Sequence, residues 1–276
     1  MKIKGHSNFK VELLQEKGKF FVRKSCLKEK DNERLHKQYL KQWDFSYGLE
    51  GIIVPQTQKF NKTSNLHYFD MEYLNGLNFA ELFEKKNFKC IEKYFNKIIY
   101  FIEYTLEGST NEDVTELIKE KYQNTKNNIL LNNVKFDFTK TDNMFNSLKD
   151  VVFPIGYNHG DLTLSNILFD ENENNIVFID FLDCFIDTPF NDIVKLRQDT
   201  QFKWSVFLLE EKRDITKLNI ILDKLDQLVE STFSKLDFYK KHYQMFQILN
   251  LLRVLQYAKD EFIIDHLTKN IKKLYE

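Results

Sequence analysis

The residues best suited to chemistry lie in His159-Gly160-Asp161-Leu162-Thr163-Leu164-Ser165-Asn166 and, fourteen residues past Asn166, at Asp180 in Ile179-Asp180-Phe181-Leu182-Asp183. The set combines a carboxylate, an amide five residues later and a second carboxylate. A carboxylate can accept the proton of a substrate hydroxyl. An amide oxygen and a carboxylate supply the hard oxygen ligands that Mg²⁺ prefers. Phosphoryl transfer asks for little more: a positioned hydroxyl, a divalent ion on the nucleotide phosphates, and cationic or backbone donors.

These groups work together only if the fold brings them together. Asn166–Phe169 and Ile176–Ile179 read as two short apolar strands around the polar turn 170–175, a hairpin that returns Asp180 to the end where Asn166 starts. Phe9–Leu14 and Lys19–Lys24 read as strands joined by Gln15-Glu16-Lys17-Gly18. Residues 30–45 read as a helix with Leu35, Tyr39 and Trp43 on one apolar face. Strand signals return at 51–54 and 66–73. Leu74-Asn75-Gly76 is a turn-like link that closes a β-rich first part, 1–75. The remainder, 76–276, is mainly helical in pattern, with helices expected at 79–84, 91–106, 114–122, 218–228, 243–258 and 262–275. A polar loop with a short helix is expected over 124–143, and another turn or two of helix over 144–152.

Composition removes several alternatives. A net charge of −1 over 276 residues gives no field for nucleic acid or an anionic membrane surface. Cys26, Cys90 and Cys184 are too scattered for a disulfide framework or a CxxC zinc site, and the six histidines show no metal spacing. Met1–His6 lacks the apolar run of a signal peptide, and the most apolar windows are broken by Glu103 and Arg253. A reduced, cytoplasmic protein is expected.

His-Gly-Asp-x4-Asn followed by Ile-Asp-Phe-x-Asp resembles the aminoglycoside phosphotransferase/choline kinase family, small-molecule relatives of the protein kinases. The HRD-x4-N and DFG motifs of protein kinases share the Asp-to-Asn interval. Gly160 is similar to the small-molecule branch, and the short interval from Asp180 to Pro189 leaves no room for a protein-kinase activation segment. The resemblance extends over roughly residues 5–196. Gly5-His6-Ser7-Asn8-Phe9-x-Val11 is similar to the family's phosphate loop and Gly18–Lys24 to its cation-bearing third strand. Phe69–Gly76 is similar to its adenine-contacting hinge, and Asp187–Asp192 to the segment whose aspartate braces the catalytic loop.

The resemblance implies an α+β, protein-kinase-like, two-lobed fold, with a small antiparallel β-sheet lobe carrying one helix and a larger helical lobe. It implies ATP and Mg²⁺ as cofactors and a small-molecule acceptor. Asp161 would be the catalytic base, and Asn166 and Asp180 the metal ligands. Ser7, Asn8, Lys24, Glu72 and Leu74 would contact the nucleotide. His159 and Asp192 would be braces, and Asp183 a substrate contact or a second-metal contact. Either Lys24 or Arg23 can be the phosphate cation; strand alternation puts them on opposite faces. The family pairs this cation with a glutamate on the next helix. Here Glu33 falls opposite Leu35, which leaves Gln38 or Asp31 beside the apolar face.

The acceptor would be selected by the helices after Pro189. Gln244, Gln247, Asn250 and Arg253 interrupt an otherwise apolar helix and suit a sugar or an anionic acceptor. A choline- or ethanolamine-type amino alcohol is the next candidate, and an aminoglycoside the third. A catalytically silent nucleotide-binding module is the alternative of another class; retention of Asp161, Asn166 and Asp180 speaks against it.

Overall fold

The computed structural model describes residues 2–3, 9–26, 28–45, 48–63, 66–209 and 213–275. In chain order the elements are β1 (Lys2–Ile3), β2 (Lys10–Glu16), β3 (Lys19–Cys26), α1 (Asn32–Asp44), β4 (Ile52–Ile53), β5 (Asn61–Lys62) and β6 (His67–Glu72). There follow α2 (Phe79–Lys85), α3 (Phe88–Glu107), β7 (Thr110–Asp113), α4 (Thr115–Leu131), α5 (Thr139–Asn146) and β8 (Val152–Ile155). The chain continues through β9 (Ile167–Asp170), β10 (Asn175–Phe178), α6 (Pro189–Thr200), α7 (Trp204–Phe207), α8 (Ile215–Phe233), α9 (Asp237–Leu255) and α10 (Glu261–Lys273). No helix among the described residues is long and apolar enough to cross a membrane.

Two compact units result. The first joins Met1–Phe101 to His159–Cys184, and the second joins Ile102–Asn158 to Phe185–Glu276. The link at Leu74–Gly76 lies inside the first unit, which also takes in α2, most of α3 and the β9–β10 hairpin.

The first unit is built on an antiparallel sheet in the order β1-β2-β3-β6-β5. Lys17 and Gly18 both adopt positive φ, the backbone of a two-residue hairpin turn, and so fix the β2–β3 register. Phe9, Cys26, Leu35, Phe69 and Met71 form the core between sheet and helix, with Val22, Tyr39 and Phe60 packed on it. The face that α1 buries differs from the expected one. Leu35, Gln38 and Gln42 are buried, whereas Trp43 is 44% exposed. The two amides are tolerated because each has a partner: Gln42 donates to the Pro55 carbonyl (2.9 Å), and Gln38 to Asp183.

A second small sheet, β4-β10-β9, carries the central hairpin, with β4 parallel to β10. Helix α3 lies against it through Tyr94 on Phe169 and Phe101 on Phe178. Leu77 and Phe169 exchange backbone hydrogen bonds (3.0 and 2.9 Å), tying the segment after β6 to β9.

In the second unit, α4 runs on to Leu131, well past the expected end at 122, because Ile118, Tyr122, Thr125 and Ile129 continue one buried stripe. The buried Thr125 hides that period in the sequence. Of the segment expected as helix over 144–152, only 144–146 is helical, as the end of α5; Val152–Ile155 pairs with Thr110–Asp113, a two-stranded ribbon in which a proline is acceptable. Arg197 on α6 is 5% exposed and makes a two-pronged bond to Asp226 on α8 (3.0 and 2.8 Å). It also bonds Glu230 and the Tyr239 hydroxyl, fastening α6 to α8 and α9.

Candidate active site

The catalytic-loop residues, Asp180 and Lys24 all fall within the first unit. From Leu164 to Asn166 the chain makes one 3₁₀ turn and then enters β9. That turn swings the Asn166 side chain back, so that Nδ2 donates to the Asp161 carbonyl (2.9 Å) and to its Oδ2 (3.0 Å). With Nδ2 directed at two oxygens, the amide orientation is set and Oδ1 is the atom left to face a cation. The Asn166 carbonyl accepts from the Ile179 amide (3.0 Å), so the start of β9 and the residue before Asp180 are held together.

His159 is fully buried. Its Nδ1 accepts from the Asp161 amide (3.2 Å), and its Nε2 lies 2.9 Å from the Ile179 carbonyl. The pattern requires the neutral ring with the proton on Nε2. Burial pushes its pKa down to about 4, against the pull of the Asp161 and Asp180 charges. His159 thus links the two halves of the motif and is unsuited to carrying protons near neutrality.

Gly160 has φ +91°, where a side chain is strained, and a Cβ there would run into the Leu182 carbonyl oxygen. That carbonyl is pinned by Lys41 Nζ (3.0 Å), while the Leu182 amide donates to the His159 carbonyl (3.0 Å).

Asp180 leaves β10 in the left-handed region, φ +61°, a conformation aspartate accepts better than most residues. Its Oδ1 meets Lys24 Nζ at 2.5 Å. Lys24 is almost completely buried on the β3 face shared with Val22 and Cys26, and lies 5.4 Å from the centre of the Phe9 ring. Arg23 points the other way, into a two-pronged pair with Asp70 (2.6 and 2.8 Å) and over the Tyr68 ring. Of the two cations, Lys24 therefore stands at the motif and Arg23 is spent on the sheet.

Among the described residues, no acid of α1 pairs with Lys24 as the helix acid of the family pattern would. Glu33 is exposed and pairs with Lys37 (2.8 Å). Asp31 is buried in the turn before α1. Gln38 reaches Asp183, with Nε2 at 2.5 Å from Oδ1, and Arg34 Nε donates to Oδ2 at 2.8 Å. Desolvation works to raise the Asp183 pKa, but Arg34 and Gln38 outweigh it and hold it below the usual carboxylate value. Arg34 is not marked by any motif; only the folded helix shows that it faces Asp183.

The remaining expected site residues are spread more widely. Ser7 and Asn8 lie outside the described residues. Glu72 is exposed at the end of β6, where its amide donates to the Gln56 carbonyl (2.9 Å), and Leu74 follows in the link. Asp192 and Arg253 belong to the second unit. Asp192 is fully buried in the first turn of α6, where a negative charge suits the helix dipole. Arg253 stacks over Phe185 at 5.0 Å.

Among the described residues no three His, Cys, Asp or Glu side chains converge on a metal position. The donor set nevertheless fits Mg²⁺ held jointly with a nucleotide. The Asn166 amide oxygen and the Asp180 carboxylate are hard donors, and Mg²⁺ in such sites takes one or two carboxylates plus phosphates and waters. The Lys24 ammonium on Asp180 shows that this carboxylate accepts a cation in place.

Comparison with known proteins agrees with this geometry. Residues 130–216 match the family model described as the phosphotransferase enzyme family. No curated protein sequence matches the chain. Among solved structures, a thermostable mutant of aminoglycoside phosphotransferase APH(4)-Ia, in ternary complex with ADP and hygromycin B, superposes with TM-score 0.58 at 10% identity. That match covers 99% of this chain and 92% of the other. Plasmodium vivax ethanolamine kinase gives 0.52 at 13% identity, over 99% and 81% of the two chains. A protein assigned as a fructosamine-3-kinase from Haemophilus somnus gives 0.58 at 13% identity, over 100% and 90%. The fold is thus protein-kinase-like along the chain, and the segment 130–216, which holds Asp161, Asn166 and Asp180, is similar to the phosphotransferase enzyme family.

Proposed function

We propose that the protein transfers the γ-phosphoryl group of ATP, with Mg²⁺, to a hydroxyl of a small molecule, a sugar or sugar derivative. The observation that carries this is the arrangement in the first unit. The Asp161 carboxylate is bonded to Asn166, Asn166 is bonded to the residue before Asp180, and Lys24 rests on Asp180. Asp161 acts as the base that accepts the hydroxyl proton. Asn166 and Asp180 hold the metal, which neutralises charge on the phosphates when bound. Lys24 binds phosphate oxygens once they draw it from Asp180. Residues 1–75, with Ser7, Asn8, Glu72 and Leu74, serve the nucleotide; 76–276 carry the catalytic loop and the acceptor site. His159 braces that loop.

Support for a sugar comes from α9. Gln247 and Asn250 are buried rather than turned to solvent, and the Asn250 amide donates to Gln198 (2.9 Å), so that helix is lined with uncharged hydrogen-bonding groups. A polycationic acceptor calls for uncommitted acids, and Asp183 is already held by Arg34 and Gln38.

The test is a mass-shift screen with Mg·ATP over sugars, amino alcohols and aminoglycosides. A gain of one phosphate on a sugar is expected. Asp161→Ala should lower kcat by roughly 10²–10⁴-fold while Mg·ADP still binds. Full kcat in that variant with a cognate acceptor would remove Asp161 as the base. Tight nucleotide binding without transfer to any acceptor would favour a silent binding module.

A further inference from the structure

Two groups on α1 converge on Asp183, three residues beyond the proposed metal ligand. Arg34 spans both carboxylate oxygens, with Nε at 2.8 Å from Oδ2 and Nη2 at 3.3 Å from Oδ1. Gln38 adds Nε2 at 2.5 Å from Oδ1. Gln38 is 1% exposed, and its own Oε1 has no hydrogen-bond partner among the described residues. An amide buried with one end bonded and the other idle is costly unless the bonded end matters. A carboxylate at position 38 would serve Lys24 but would set two like charges against each other at Asp183. An amide can donate to Asp183 and still offer an oxygen to a cation.

We infer that Arg34 and Gln38 are positioning residues: by holding Asp183 they fix the backbone from Asp180 to Asp183 and so present Asp180 to Mg·nucleotide, in place of a helix acid that holds the lysine. Phe9 closes this group from one side, lying under both Lys24 (5.4 Å) and Arg34 (5.8 Å). The same segment meets the catalytic loop through the Leu182 amide on the His159 carbonyl, so a shift at Asp183 is felt on both sides of the site.

The inference rests on the nucleotide-binding reading above, and the experiment separates the two. Mg·ADP binding is measured by calorimetry for the wild type, Gln38→Glu, Arg34→Ala, Arg34→Lys and the double variant Gln38→Glu/Asp183→Asn, each checked for folding by thermal melting. No Mg·ADP binding by the wild type would sink the functional reading itself. Given wild-type binding, Gln38→Glu should weaken it by about tenfold or more, as expected when like charges replace a charge-assisted hydrogen bond. The double variant exchanges amide and carboxylate across the same contact and should recover to within about threefold of the wild type. Arg34→Ala should weaken binding by about fivefold, and Arg34→Lys should keep part of it. Binding by Gln38→Glu as tight as wild type or tighter would show that position 38 serves Lys24 and not Asp183. Absence of recovery in a folded double variant would overturn the inference equally.

Discussion

Gly160→Ala is the substitution for which the structure gives the most explicit expectation. Alanine at φ +91° carries the left-handed penalty of an L-residue, about 1–2 kcal/mol. The new methyl would also enter the space of the Leu182 carbonyl oxygen, with Cys184 Sγ 3.0 Å away. That carbonyl cannot yield cheaply, since Lys41 holds it and the Leu182 amide is bonded to His159. Overpacking against such an anchored group adds about 1–3 kcal/mol. The sum, about 2–5 kcal/mol, corresponds to a Tm lowered by roughly 4–20 °C in a chain of this size. Gly18→Ala is the internal control. It has nearly the same φ, +80°, with nothing within 4 Å of an added Cβ, and should lose only about 1–2 kcal/mol, or roughly 2–8 °C. Thermal melts of both variants, with and without Mg·ADP, make the comparison. Equal Tm values for the two variants, with nucleotide affinity retained in Gly160→Ala, would refute the argument that packing under Leu182 demands glycine in the motif.

Three further outcomes are expected. His159 has a folded pKa near 4 against about 6.5 when unfolded, so its contribution is complete above pH 6.5 and is lost as pH falls toward 4. At pH 5 it should cost about 2 kcal/mol of stability, and the imidazole ¹⁵N signals should still report the neutral Nε2–H ring; a protonated ring at pH 5.5 would contradict this. Arg23→Ala should leave Mg·ADP affinity nearly unchanged, whereas Lys24→Ala should reduce it by about tenfold or more, as loss of a buried phosphate partner implies; equal losses in calorimetry would reverse the assignment. Arg197→Met strands the Asp226 carboxylate and should destabilise by about 2–4 kcal/mol, below the full cost of a broken buried pair because Asp226 is partly hydrated. Arg197→Lys should recover little, since an ammonium cannot make the two-pronged bond; urea denaturation measures both.

The parts of the site that could be read from the sequence are those whose chemistry is local. The Asp161–Asn166 interval and the apolar flanks of the hairpin carry their own constraint within a few residues and folded as expected, whereas the turn expected over Gln15–Gly18 shrank to Lys17-Gly18 because Gln15 and Glu16 pair with Phe20 and Lys19. Strand alternation also separated Lys24 from Arg23 and favoured Lys24; the side-chain partners, Asp180 for Lys24 and Asp70 for Arg23, are distant in sequence and needed the fold. Helix α1 was misread by one position because its buried stripe includes two glutamines, and a hydrophobic period gives amides no weight. Their burial depends on Pro55 and Asp183, partners that no local pattern announces. Thr125 disguised the length of α4 in the same way. The ribbon of β7 and β8 was missed because its register depends on pairing across forty residues rather than on either strand's composition.

The parallel pairing of β4 with β10 has a consequence for how the molecule is made. Ile52 lies beside Ile176 and Ile53 beside Val177, so one unit is assembled from chain ends separated by residues 102–158. Thermodynamically the long intervening loop is cheap, since each doubling of length adds only about 0.6 kcal/mol to closure. Kinetically it is not. At roughly 5–20 residues per second, the ribosome needs about 4–17 s to pass from Phe101 to Cys184. Throughout that interval the β4 edge has no strand to pair with, and unpaired edges invite other chains. The catalytic loop is then among the last parts of its unit to find a place. A fragment ending at Phe101 would be a scaffold with an open seam rather than a lobe, and separating the two units at the genetic level would require joining segments that the chain itself keeps apart.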